Sequence, residues 1–515
     1  MRFLSKLNDV IMETIQGKCL FIPLILALIM FTAGCNPNSF LEETPNSFLT
    51  EENFYETEKD AVASVNAVYD MLQQGALYLN NMYRLVDFPS AQSTDNKRGG
   101  TLDLLTWDDT AGPVFEVWQG SYKGINRANE ALANIPEIEM DENVKTRLLA
   151  EVHFLRGLYY FNLIKLFGNV VLKTEPTANL DSLNPSNTGN QEEVWSLIIE
   201  DLQYAETNLP LSYSGQDIGR ATKGAAKAML AKVYLQRSGL AQYAPDPSLW
   251  GVEGVNEWEE ALNKTQEVID LQQYSLFENY ADVFDVSTKN GVGHIFSVQY
   301  LAGLGKPEGM ANIVKMIGVR GAGNIHPYGG RSDWTGEPAF FESWPNKESD
   351  ERFPVTWVLE FELDGEMERY PESDLMQTPH IQKFRINPGE KERLERFSAN
   401  FPLLRYADVL LMHSEAANES GSGDPYAGIN AVRQRAGLNA LSGLNQQELR
   451  AAIIQERALE LCFEAHAFFD YQRFGILEEQ AALVGHTGVE PFRYVYPIPQ
   501  NERDRNPNLE QNPGY

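Results

Sequence analysis

Residues 453–475 read IIQERALELCFEAHAFFDYQRFG. Apolar side chains stand at Ile453, Ile454, Ala458, Leu461, Cys462, Ala465, Phe468 and Phe469. Spacings of three and four residues stack side chains along a helix, and a helix that is apolar on more than one face belongs inside a core. The same rhythm reaches back to Gln446. One long, buried helix is therefore predicted over 446–475, stopped near Gly475. Three carboxylates, Glu456, Glu460 and Glu464, recur along it at four-residue spacing with Arg457 adjacent. Like charges at that spacing repel, so these acids are read as members of an ion-pair or capping network.

Outward from this stretch, helical periods recur in pairs. Upstream lie 403–419 and 426–436. In the first half, Ala61, Val62, Val65, Val68, Tyr69 and Leu72 form one stripe, and Val114, Trp118, Tyr122, Ile125 and Leu132 another. A third runs from Leu148 to Leu166 before Gly168. Further helices are predicted over 192–208, 219–239 and 256–272, the second of them rich in alanine, which lets neighbouring helices approach closely. Trp118, Trp195 and Trp258 lie on these stripes and are read as core. Helix pairs joined by short polar turns point to a mainly α fold, an α-solenoid of tetratricopeptide-like pairs.

Two segments break the rhythm. Residues 76–112 have no sustained period and read as a long, partly ordered loop. Residues 278–402 are rich in Gly, Pro and aromatics, with strand-like runs at 294–300 and 355–361. A structureless loop of that length is improbable, so a folded, partly β insertion is expected.

The N-terminal region carries an apolar run, LFIPLILALIMFTAGC from Leu20 to Cys35. At about fourteen apolar residues it is shorter than the roughly 20 that span a bilayer as a helix. Small residues before a cysteine resemble a bacterial lipobox, with Cys35 as the lipid-modified first residue of the mature chain. The expected organisation is a signal peptide over 1–34, a lipidated tether over 35–50 and one body over 51–515. Within that body, 51–277 and 403–515 form the helical scaffold and 278–402 the variable insertion. Of the three cysteines, Cys462 alone is then left for the body, where it reads as a small core residue without a disulfide. The net charge of −30 repels nucleic acid and anionic membrane, so attachment to a membrane rests on the lipid.

Catalytic and metal signatures are weak. His466 and Asp470 are four residues apart but lack a third ligand in the sequence nearby. GVRGAGN at Gly318 and GRATKGA at Gly219 match no dinucleotide or phosphate loop in spacing. No HExxH and no recognisable Ser-His-Asp arrangement is present. No cofactor and no metal are called for.

Four passages resemble one family. They are YPIPQNERDRNPNLEQNPGY from Tyr496, the 453–475 stretch with Glu456-Arg457, Glu460, Glu464 and Asp470, AEVHFLRGLYYFNLIKLFGNVVL from Ala150, and GRATKGAAKAMLAKVYL from Gly219. Together they resemble the SusD/RagB family of outer-membrane nutrient-binding lipoproteins of Bacteroidetes. The resemblance implies a star-shaped α fold with four tetratricopeptide-like helix pairs and a variable, loop-rich face. It implies a lipid-anchored protein facing the cell exterior, capping a SusC-like TonB-dependent transporter. Such a protein binds a glycan or another nutrient such as peptide and hands it on without chemistry.

Sugar rings stack their C–H faces on indole or phenol rings, and their hydroxyls need carboxylate, amide and guanidinium partners. Those residue types in the aperiodic segments nominate Trp334, Arg331, Asp333, Tyr328, Trp344, Trp107, Asp95, Asn96 and Arg98 as ligand contacts. The RSDW run, 331–334, beside Gly329-Gly330 is the leading candidate. The competing reading is a surface glycoside hydrolase using loop carboxylates such as Asp95 and Asp333.

Overall fold

The apolar stripes become helices stacked in chain order. The computed structural model describes residues 54–96, 100–177, 184–301, 311–322, 330–384 and 398–515. The principal helices are α1 (Glu58–Asp70), α2 (Gly112–Asn134), α3 (Glu142–Phe167), α4 (Gln191–Asn208), α5 (Lys223–Tyr243) and α6 (Trp258–Asp270). They continue with α7 (Tyr406–Ser420), α8 (Ala427–Arg435), α9 (Gln446–Glu460) and α10 (Ala467–Phe474). Each packs on its neighbour from α2 to α8, and α9 lies against α7. α10 turns back onto α5, so the C-terminal helices close against the middle of the stack.

Local chemistry sets the helix ends. Thr57 and Asp60 form a reciprocal capping box at α1, as do Asn445 and Glu448 at α9. Asp141 and Thr222 cap α3 and α5 with their side chains. Gly168 ends α3 at φ +63°, and a Cβ there would sit 2.2 Å from the Leu249 carbonyl. Glycine alone meets both conditions.

Among the described residues there are eight short strands, β1 (Ser93–Asp95), β2 (His294–Val298), β3 (Trp334–Gly336), β4 (Trp357–Val358), β5 (Glu360–Leu363), β6 (Glu366–Arg369), β7 (His380–Ile381) and β8 (Phe401–Arg405). They make four two-stranded antiparallel sheets, β1-β3, β2-β8, β4-β7 and β5-β6. The mainly α fold with a partly β insertion is thus the observed one. The 76–112 region is more ordered than its sequence suggests. It holds the helix Asn81–Val86, all six residues of which are buried, and β1. An element of six residues is too short to show a helical period.

The long helix expected over 446–475 is two helices. Between α9 and α10 the chain leaves helical geometry, with Phe463 at φ +65° and Ala465 at φ +58°. The carbonyls that would continue the helix are taken by side chains from elsewhere. Tyr280 Oη, Lys383 Nζ and Arg405 Nη2 all donate to the Glu460 carbonyl, and Lys383 Nζ also donates to that of Cys462. The Ala465 N–H donates to Asp87. Cys462 is buried as expected, and burial pushes its thiol up to about 11. The start of the proline-rich C-terminal segment is core as well: Tyr494, Tyr496 and Ile498 are fully buried.

Candidate functional site

The β1-β3 ladder joins the two aperiodic segments. Ser93 pairs with Gly336, Thr94 with Thr335 and Asp95 with Trp334. The pairing runs one step further, where the Asn96 N–H donates to the Asp333 carbonyl at 3.1 Å. Five of the nominated residues, Asp95, Asn96, Arg331, Asp333 and Trp334, therefore meet on one ridge.

At its outer end the ridge is polar and tightly cross-linked. The Asn96 amide reaches Thr335 Oγ1 at 2.7 Å, and Thr378 Oγ1 and the Ser332 carbonyl at 3.3 Å each. Ser332 takes a left-handed conformation at φ +48°. Its hydroxyl accepts from the Arg320 N–H at 2.8 Å and lies 3.0 Å from His380 Nε2. Asp333 is fully buried beneath two guanidiniums, Arg331 at 2.8 Å and Arg320 at 3.4 Å. The arginine side chains themselves stay 38 % and 60 % exposed. Each guanidinium has five N–H groups in a rigid fork. Arg320 is fixed further by donating through Nε and Nη2 to the Arg331 carbonyl at 3.1 and 2.6 Å. One buried carboxylate and one carbonyl thus brace two cationic forks that keep part of their surface in solvent. Such an array can grip vicinal hydroxyls or an anionic group with little ordering cost.

The indoles are placed differently. Trp334 has no exposed surface. Tyr83 stacks on it at 4.1 Å and 6°, and Phe88 and Phe463 meet it edge-on. Trp344 is buried between Phe340, Phe353 and Trp357 and donates to Asp350 at 3.2 Å. Trp107 is buried against Tyr496 and Phe468 and donates to Tyr515 Oη at 2.7 Å. With both faces covered by protein, none of the three can stack on a sugar, which corrects their nomination as ligand contacts. Asp95 is also buried, 3.6 Å from Arg84. Tyr328, Arg98 and Cys35 lie outside the described residues. Arg320 and Thr378 were not nominated. Arg320 stands in the glycine-rich GVRGAGN run, where a cation in an aperiodic segment was the available signal, whereas Thr378 carries none.

The carboxylate row of α9 sits deep in the scaffold. Arg352 pairs with Asp350 at 2.8 Å, Glu456 at 2.7 Å and Glu460 at 3.3 Å. Arg405 pairs with Glu464 at 2.6 Å and Glu460 at 3.0 Å, and Arg435 adds a 2.7 Å contact to Glu460. Lys383 holds Glu464 at 2.9 Å. Burial pushes the Glu460 carboxyl up, but Arg435, Arg405 and Arg352 outweigh it and hold the group well below the carboxylate range. Such an acid stays ionised and cannot hold a proton for general-acid work. His466 and Asp470 are likewise absorbed into the scaffold, the first by a hydrogen bond and the second by ion pairs. Lys232 contacts Asp408 and His466, and Arg457 bridges Asp408 and Asp470 at 2.9 Å each. Among the described residues no group of His, Cys, Asp and Glu is placed to hold a metal.

Across nearly the whole chain, the sequence is 30% identical to the SusD-like protein P2 of Formosa agariphila, covering 97% of this chain and 99% of that one. The chain belongs to the SusD-like family. A family model described as "SusD family" matches residues 342–515, and one described as "Starch-binding associating with outer membrane" matches 39–235. A solved "Laminarin binding SusD-like protein" is 29% identical and superposes with a TM-score of 0.72 over 90% of this chain and 100% of that one. A SusD superfamily protein from Parabacteroides distasonis is 25% identical, with a TM-score of 0.75 over 91% of this chain and 100% of that one. The two SusD-like family models flank residues 236–341 without covering them. Arg320, Arg331 and Asp333 lie in that uncovered stretch, whereas Asn96 and the α9 ion pairs lie within the matched ones.

Proposed function

We propose that this SusD-like protein is a non-catalytic glycan receptor of the outer membrane. A lipid on Cys35 holds it on the cell exterior, and it hands its ligand to a SusC-like TonB-dependent transporter. The observation that carries the reading is the β1-β3 ridge, where Arg320 and Arg331, braced by Asp333 beside the cross-linked Asn96, present guanidinium donors to solvent on a SusD-like scaffold. The 29% identity to a laminarin-binding relative and the starch-binding description of the family support a glucan or similar polysaccharide as ligand.

Calorimetry of the protein against laminarin, starch and other neutral glycans tests this. One glycan class should bind, and the Arg320→Ala/Arg331→Ala double variant should bind it about tenfold or more weakly, since each charged hydrogen bond lost is worth about 1.5 kcal/mol or more. Undiminished binding in that variant would remove the ridge from the site.

The hydrolase reading has one observation on its side. Burial, and then the nearby Asp103 carboxylate, push Glu337 up to about 6, in reach of a general acid. Asp95 and Asp333, by contrast, are ion-paired and buried. Release of reducing ends that is abolished by Glu337→Gln would replace the receptor reading with a hydrolase.

A further inference from the structure

A second cleft lies on the helical scaffold, built by elements other than those of the ridge. Its walls are the outer face of α2, residues 171–177 and 184–185, and the C-terminal helix Gln500–Arg505. Its volume is about 920 Å³, within the range of small-ligand sites, about 300–1,000 Å³. At its floor Trp118 packs 5.0 Å from Tyr122. The Tyr122 hydroxyl is fully engaged, donating to the Val171 carbonyl at 3.0 Å and accepting from its N–H at 2.7 Å. What Tyr122 leaves to the cleft is the flank of a half-buried ring, and an apolar ring face is what a pyranose C–H face packs on.

The rim reverses the charge of the molecule. In a chain of net charge −30, this cleft is lined by Lys123, Arg127, Lys173 and Arg505 against Glu130 and Glu502. The basic groups differ in what already holds them. Arg127 donates to the Ala67 carbonyl and meets Asp70. Lys123 donates to a neutral amide, Gln119, and Arg505 touches Glu502 at 3.4 Å. The Lys173 ammonium makes no hydrogen bond or ion pair among the described residues, although its backbone is pinned on both sides. Its N–H donates to Tyr160 Oη, and its carbonyl accepts from Tyr160 Oη and the Asn129 amide. The ammonium feels the Glu502 carboxylate without pairing directly with it, and burial of such a cation beside an aromatic floor costs less once an anion joins it.

We infer that this cleft is a second saccharide site, selective for sugars bearing a negative charge, a uronate carboxylate or a sulfate ester, gripped by Lys173 and Arg505 over the Tyr122 ring. That the ligand is a saccharide rests on the glycan-receptor reading, while the charge preference rests on the cleft itself. Desolvation lowers the Lys173 pKa from the usual lysine value while the Glu502 carboxylate raises it, and an arriving anion would act in the same direction as Glu502 and favour the charged ammonium.

The test uses three probes at low salt: an oligogalacturonate, its methyl ester of the same length, and a sulfated oligosaccharide. At least one charged probe should bind, and Lys173→Gln/Arg505→Gln should weaken it about tenfold. Lys173→Arg should retain binding, and rising salt should erode it. Which charged probe binds decides between carboxylate and sulfate. Binding of the ester equal to that of the free acid, indifference to the double variant, or no binding of either charged probe would overturn the inference. The Arg320→Ala/Arg331→Ala variant separates this result from the first. It should leave charged-sugar binding at the cleft intact, so neutral glycan bound without charged sugar defeats the cleft alone. Charged sugar bound at the cleft, with the ridge variant silent towards every glycan, defeats the ridge alone.

Discussion

The ion pairs around α9 and those of the β1-β3 ridge use the same residue types to opposite ends. Around Glu460, every carboxylate and guanidinium is buried and each cation meets an acid of the same cluster. At the outer end of the ridge the acid, Asp333, is buried, and the two arginines above it keep much of their surface in water. A charge locked inside a low-dielectric cluster can only hold the fold together, whereas a braced charge at the surface is free to hold something else. Solvent access, rather than residue type, separates scaffold from site.

The sharpest way to break this contrast is to cut the buried cluster. Glu460→Gln would leave Arg352, Arg405 and Arg435 short of a counter-charge, and a loss of about 3–5 kcal/mol is expected. Chemical denaturation would measure it. Because the folded carboxyl lies well below its unfolded value, its contribution is present at neutral pH and is lost as pH falls through the folded pKa. A loss below 1 kcal/mol would show that these ion pairs do not hold the scaffold. Next in size is Trp334→Ala. Removing a fully buried indole from its stack on Tyr83 should cost about 3–4 kcal/mol in the same assay. If stability held and only glycan binding fell, the indole would belong to the site after all.

A smaller effect, of opposite sign, is expected beside the ridge. Glu337 binds its proton up to about 6 in the folded protein, against an ordinary 4.5. Between those values the native state holds more protons than the unfolded chain, so stability falls as pH rises through that window. Glu337→Gln should remove the fall. Discounted for partial exposure, the gain should be about 1 kcal/mol above pH 6.5 and nil below pH 4. Thermal melts at the two pH values would show it. Smallest for the fold is Arg331→Ala, where loss of a half-exposed cation should cost about 1 kcal/mol or less, with weakened glycan binding as its main consequence. Equal losses of stability at Arg331 and Glu460 would erase the distinction between ridge and scaffold.

Much of the scaffold was legible because long amphipathic helices announce themselves. The stripes at 114–132, 148–166, 192–208 and 256–272 became α2, α3, α4 and α6 with small shifts at the ends. The acids of α9 were read as ion-paired, and they are. The break after Leu461 was not legible, since its cause is Lys383, Arg405 and Tyr280 arriving from distant sequence to take backbone carbonyls. The ridge was half legible. Asn96, Arg331 and Asp333 were picked by chemistry and do meet. Trp334, Trp344 and Trp107 were picked by the same chemistry and are core, because an indole in an aperiodic segment carries no mark of whether other rings already cover it.

The sequence by itself determined the family, the helical scaffold and the chemical types from which any site must be drawn. Periodicity and the matched passages are local properties, readable in order along the chain. Only the tertiary structure decided which of those residues face water. Exposure depends on what packs against a side chain from hundreds of residues away, as Tyr83 does on Trp334 and Tyr515 on Trp107. The Lys173 ammonium, which makes no hydrogen bond or ion pair among the described residues, is a case of the same kind, since the cleft it lines is walled by α2 and the C-terminal helix from far along the chain.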